Sequence, residues 1–156
     1  MVEMADIISP EGVVLDLKAG GSKRQVLKEL ASQAAALVEI DPQRLLEALM
    51  ERERLGTTAI GHGIAIPHAR MRELKRLVGL FARLNHPVDF EALDDQPSDL
   101  IFLLLAPDSA DTDSLKALAR ISRLLRDPSL QRRLRQDKDR QAIHRILTQK
   151  PESHAA

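Results

Sequence analysis

Hydrophobic positions along the chain fall into two rhythms, and each predicts a different kind of element. Val13-Val14-Leu15-Asp16-Leu17 is short and apolar and is broken by Gly20-Gly21, which predicts a strand. Val26, Leu27, Leu30, Ala34, Leu37 and Val38 then recur at the spacing of one helix face. Ser22 with Gln25 three residues on has capping-box spacing, so this amphipathic helix is expected over about 22–38. Asp41-Pro42 repeats the start signal, with Pro at the first helical position. Leu45, Leu46, Leu49 and Met50 give the second helix its apolar face, to about Arg54.

Gly56-Thr57-Thr58 through Gly63 reads as loop, and Ile64–Ile66 as a short strand. The segment Leu77–Leu84 is strand-like and is expected to stop at Asn85-His86-Pro87. Asp94-Asp95-Gln96-Pro97 is a turn cluster. Leu100–Ala106 is a continuous apolar run, as in a strand covered on both faces, and Pro107 ends it. Asp111–Asp113 can cap a helix carrying Leu115, Leu118, Ile121, Leu124 and Leu125 inward. Asp127-Pro128 starts a short helix with Leu130 and Leu134 inward, and Asp139–Leu147 is a last helix. The end from Lys150 to Ala156 reads as a frayed tail. This alternation predicts an α/β fold, a single domain with a mixed β-sheet flanked by helices on both faces. No repeat, low-complexity segment or internal linker interrupts it.

Composition narrows the function by exclusion. With 44% hydrophobic and 29% charged residues, the 156-residue chain has a globular balance. Its 23 basic and 23 acidic residues cancel, so nothing favours bulk attraction to nucleic acid or to an anionic membrane. Three Phe are the only aromatics, which weakens any base-stacking role. The basic run Arg132-Arg133-Leu134-Arg135 reads as a solvated helix face. The absence of cysteine excludes disulfides, thiol nucleophiles and thiolate metal sites. No apolar run approaches the roughly 20 residues of a membrane span. Met1–Asp6 lacks a basic region leading into a hydrophobic one, so no signal peptide and a cytoplasmic location are expected.

Five histidines carry the candidate chemistry: 62, 68, 86, 144 and 154. His154 lies in the tail, His144 reads as a solvated or rim residue and His86 as a turn residue before Pro87. His62, between two glycines, either faces the same opening as His68 or points to solvent. His68 is set apart by Gly61-His-Gly-Ile-Ala-Ile-Pro-His-Ala-Arg70. A strand precedes it, Pro67 fixes its own φ near −65°, and small residues leave room around the ring. Neutral imidazole is a good nucleophile and can carry a phosphoryl group on nitrogen; an ordinary pKa of about 6.5 keeps it largely neutral in the cytoplasm. Phosphoryl transfer also needs positive charge or N–H donors aimed at the phosphoryl oxygens. Arg52 and Arg54 can supply guanidinium forks, and Thr57 and Thr58 hydroxyl donors. A metal site on His62, His68 and His86 has no helical i,i+4 pair and no tight motif behind it. Neither a metal nor a cofactor is expected.

The stretch Arg52-Glu-Arg-Leu-Gly-Thr-Thr-Ala-Ile-Gly-His-Gly-Ile-Ala-Ile-Pro-His-Ala69 resembles the phosphorylation segment of the mannitol/fructose-type enzyme IIA domains of the bacterial phosphoenolpyruvate-dependent phosphotransferase system. Val88–Phe102, Pro107 and Asp127-Pro128 fit as well, so the resemblance spans about 5–148, leaving 149–156 as tail. The wording around Gly56–Gly63 is most similar to the nitrogen-regulatory branch. The resemblance implies a mixed sheet, phosphorylation of His68 through Nε2, and Arg52 beside it. It implies a phosphorylated HPr-like carrier as donor, and potassium transporters, sensor kinases or an alarmone synthetase-hydrolase as regulated partners. The chain would be one station of a relay, with no small-molecule turnover alone. A sugar-transport enzyme IIA, passing phosphate to an enzyme IIB, is the alternative. Relatives often carry a second histidine where this chain has Ser114 and Lys116. Lys116 could supply the missing charge and His62 the missing ring.

Overall fold

The computed structural model describes residues 2–18 and 20–149; the expected tail from Lys150, with His154, lies outside them. A six-stranded sheet forms the middle layer. Strand β1 (Val13–Leu17) pairs in parallel with β5 (Val78–Val88), and β5 pairs antiparallel with β6 (Ser98–Pro107). The far side of β6 is shared. Strand β3 (Ile64–Ala65) pairs with its first half and β4 (His68–Met71) with its second, both parallel. Strand β2 (Ala59–Gly61) completes the sheet as an antiparallel neighbour of β3.

Alternation along β6 decides which helices lie where. Ile101, Leu103 and Leu105 join the core beneath α2 (Lys23–Val38) and α3 (Pro42–Arg54). Leu100, Phe102 and Leu104 join the opposite core, with α4 (Asp111–Leu125), α5 (Pro128–Gln136) and α6 (Arg140–Thr148). A strand buried on both faces must be apolar at every position, which is the run seen in the sequence. A four-residue helix α1 (Met4–Ile7), too short to show a periodicity, also packs into this second core. Ser22 caps α2 by accepting from the Gln25 amide at 3.2 Å, but its hydroxyl donates to the Gln25 side chain at 3.1 Å, leaving the capping box half-formed. Asp127 and Asp139 cap α5 and α6 as expected.

Four expectations change. First, the loop expected before Gly63 contains β2, which forms a hairpin with β3. Its two-residue turn has φ of 59° at His62 and 80° at Gly63, as in a type I′ turn. Second, β5 continues through Asn85-His86-Pro87, which are exposed. Its register with β6 shifts between Arg83 and Val88, and at such an irregularity Pro87 displaces no ladder hydrogen bond. Third, α4 starts without an aspartate cap; Ala110 holds the cap position, and Asp111 and Asp113 fall in the first turn. Fourth, Leu115 points outward and is 69% exposed.

Candidate functional site

The expected short strand over Ile64–Ile66 is interrupted, and the interruption makes the site. Between β3 and β4 the pairing with β6 lapses at Ile66 and Pro67, then resumes in the same register. Pro67 has no N–H, yet its carbonyl accepts from the Leu104 amide at 2.9 Å, which keeps the break aligned. The Ile66 amide donates to the Thr58 carbonyl at 3.0 Å, tying the break to the entry of β2. The Ile66 carbonyl is thereby turned toward the next side chain but one.

That side chain is His68, half-buried at the start of β4. Its Nδ1 lies 2.9 Å from the Ile66 carbonyl oxygen. A carbonyl only accepts, so Nδ1 carries the ring proton and Nε2 carries the lone pair. The Arg52 Nε–H donates to that lone pair at 3.2 Å, and Arg52 Nη1 donates to the Gly56 carbonyl at 2.9 Å. Burial lowers the ring pKa below 6.5; the Ile66 carbonyl pulls it up, and Arg52 pushes it down again. The result is an imidazole of fixed tautomer that favours its neutral form, with a guanidinium at its lone-pair nitrogen.

His68 lines a cleft between α3 and α4. Helix α3 contributes Arg44, Ala48 and Arg52, and β4 contributes His68 and Arg70. Helix α4 contributes Asp111, Ser114, Leu115 and Leu118. Arg44 pairs with Glu73 and Arg70 with Asp111. Among the described residues no carboxylate pairs with Arg52, so it is the cleft arginine whose charge is uncommitted. Leu55, 82% exposed, and Leu115 stand on opposite rims.

Residues 6–150 match the sequence profile described as phosphoenolpyruvate-dependent sugar phosphotransferase system, EIIA 2. The chain belongs to that EIIA family. It is 49% identical over 152 residues to a nitrogen regulatory protein of Bradyrhizobium diazoefficiens, covering 97% of this chain and 99% of that one. The crystal structure of nitrogen regulatory protein IIA-Ntr from Neisseria meningitidis superposes with a TM-score of 0.88 at 32% identity, covering 93% of this chain and 99% of that chain. The crystal structure of IIA mannitol from Escherichia coli, 19% identical, shares the fold with a TM-score of 0.75 over 89% of this chain and 97% of that chain. Within the EIIA family the chain is thus similar to the nitrogen regulatory proteins, and the expected mixed sheet with helices on both faces is the family's fold.

In this EIIA chain the structure brings together two of the six candidate residues, His68 and Arg52. The Thr57 hydroxyl donates to the Phe90 carbonyl and accepts from the Ala59 amide, and the Thr58 hydroxyl donates to Glu53. Neither hydroxyl lines the cleft. His62 is held by its backbone: its N–H donates to Asp94 at 2.9 Å, and its carbonyl accepts from Arg135 at 2.9 Å. That N–H is the main reason the Asp94 carboxyl sits below its ordinary pKa. Lys116 is exposed and outside the cleft lining, whereas Ser114 is buried and within it. His144 is half-buried, its Nε2 2.9 Å from the Ile8 carbonyl, and His86 is exposed on β5. Among the described residues no three His, Cys, Asp or Glu side chains gather to hold a metal, so His62, His68 and His86 form no such site. No helix among them is long and apolar enough to cross a membrane. Sequence reasoning missed Arg70, Leu55 and the Ile66 carbonyl. Two-residue alternation from His68 signals Arg70; a main-chain acceptor leaves no signal.

Proposed function

We propose that His68 is the phosphoryl acceptor of a regulatory relay. The observation that supports this most directly is the pairing on the two ring nitrogens, with Nδ1–H on the Ile66 carbonyl and the Arg52 guanidinium at Nε2. A phosphorylated HPr-like carrier is the donor. The Nε2 lone pair forms a bond to phosphorus, and the P–N bond to the carrier's imidazole breaks. Its electron pair returns to the carrier's ring nitrogen. The proton stays on Nδ1, donated to the Ile66 carbonyl, throughout. Arg52 moves its N–H from the ring nitrogen to the phosphoryl oxygens, where charge is concentrated in transit. Leu55 and Leu115 give the carrier an apolar rim to close against.

Phosphorylation places roughly −1.5 to −2 charges in the cleft. Control of partners follows from that change of sign. Potassium transporters, sensor kinases and an alarmone synthetase-hydrolase are the targets that the nitrogen-regulatory resemblance suggests. The test is intact-mass spectrometry after incubation with phosphoenolpyruvate, an enzyme I and its HPr-like carrier. One acid-labile phosphate, lost in His68→Ala and in the carrier-free reaction, is the expected result. No added mass with an active cognate relay overturns the proposal. Passage of that phosphate to an enzyme IIB reassigns the chain to sugar transport.

A further inference from the structure

The last turn of α3 holds a carboxylate that the proposed mechanism does not use. Glu53 follows Arg52, and its side chain is only 4% exposed. A helix C-terminus repels negative charge, and a buried carboxylate is costly unless it is paired and hydrogen-bonded. Here both conditions are met. Lys23, from the first turn of α2, reaches Oε2 at 2.8 Å, with its ammonium 5.6 Å from the centre of the Phe90 ring. The Thr58 amide donates to Oε2 at 3.3 Å, and the Thr58 hydroxyl donates to Oε1. Closing a loop does not by itself require such a buried ion pair.

Glu53 leads to the acceptor ring by two routes, one from its side chain and one from its main chain. Along one, Glu53 holds Thr58, the Thr58 carbonyl holds the Ile66 amide at 3.0 Å, and the Ile66 carbonyl faces His68 Nδ1 at 2.9 Å. Along the other, the Glu53 carbonyl accepts from the Gly56 amide at 3.2 Å, and the Gly56 carbonyl accepts from Arg52 Nη1 at 2.9 Å. Arg52 Nε then meets His68 Nε2. The routes close a hydrogen-bonded ring around the imidazole. We propose that Glu53 and Thr58, charge-balanced by Lys23, are positioning residues that fix the His68 tautomer and the Arg52 guanidinium together. This rests on His68 as the acceptor. If the Ile66 peptide turns, Nδ1 loses its acceptor and the proton is free to move to Nε2. The nucleophilic nitrogen then becomes an N–H facing another N–H. Thr57 is the internal control, since its hydroxyl bonds to Phe90 and Ala59 lie on neither route.

The experiment measures two quantities on the full chain. One is the ring 15N shifts of His68, which report the tautomer without any phosphate. The other is the single-turnover rate of phosphorylation against carrier concentration. Thr58→Val and Glu53→Gln are expected to raise the Nε2–H population and slow transfer by between about 10- and 100-fold, with half-saturation by the carrier unchanged. Thr58→Ser should restore both readouts, and Thr57→Val should leave both at the parental value. Should Thr58→Val not fold, Lys23→Gln removes the charge balance from a more exposed position, with the same two expectations. A parental tautomer and rate in the folded variants overturn the proposal. So does equal loss in Thr57→Val, which would reduce the network to loop stability. If the parent itself takes no phosphate, the acceptor assignment fails, and the tautomer shifts still decide the positioning role.

Discussion

His62 and His68 lie six residues apart on one edge of the sheet, yet the fold uses them in opposite ways. At His62 it uses the main chain. The residue forms the tip of the β2–β3 turn at φ 59°, with N–H and carbonyl tied to Asp94 and Arg135 and the side chain exposed. At His68 it uses the ring, giving each nitrogen a different partner. Flanking glycines, which draw the eye to His62 in the sequence, supply turn geometry. Under the proposed function, reactivity comes instead from one carbonyl that removes an ambiguity of protonation and one guanidinium that marks the free lone pair.

The largest break in the comparison is the loss of one ring. His68→Ala should take up no phosphate, whereas His62→Asn, which keeps a residue suited to positive φ, should be phosphorylated at the parental rate by intact mass. Next is Arg52→Ala, expected to slow transfer by about 10²–10³-fold with a smaller change in carrier affinity. Arg52→Lys should recover only part of this, because an ammonium cannot span two oxygens as a fork does. Equal rates in parent and Arg52→Ala would leave the guanidinium without a role.

On the turn side, Gly63→Ala should cost about 1–3 kcal/mol in urea unfolding, without slowing phosphorylation. The residue sits at φ 80°, and a Cβ there would lie 2.9 Å from Asp99 Oδ1. The smallest effect is on the pH dependence of stability. The unfolded ring titrates near 6.5 and the folded ring below it, chiefly through burial. The His68 contribution is therefore whole above pH 6.5 and is lost as pH falls through the lowered folded value. Urea midpoints on either side of that pH should fall less in His68→Gln than in the parent. Parallel profiles would show that the ring is not desolvated.

The parts legible in the sequence are those written locally. Ser22, Asp127 and Asp139 announce their helices because a cap is decided within three residues. The run Leu100–Ala106 announces a strand covered on both sides, because every side chain must be apolar there. His68 and Arg52 could be paired because the stretch from Arg52 to Ala69 resembles the enzyme IIA phosphorylation segment. What was hidden depends on partners far along the chain. Strand β2 is three residues long and exists through its pairing with β3. Leu115 follows helical spacing but falls on the side of α4 that borders the cleft. The two threonine hydroxyls looked available until the fold set Glu53 and Phe90 against them. Proline 87 looked like a terminator because the register shift that accommodates it is a property of two strands.

The partner of His68 Nδ1 is a main-chain carbonyl, and a carbonyl holds a proton without ever taking it. A carboxylate in that place would accept the same hydrogen bond but add a negative charge that stabilises a cationic ring. Under the proposed function, phospho-His68 keeps a protonated ring, which is the better leaving group. Under that function, the contact that prepares the nitrogen to receive would also leave the ring's positive charge without a counter-charge, which favours departure of the phosphoryl group. Under the proposed function the cleft is suited to passage rather than storage.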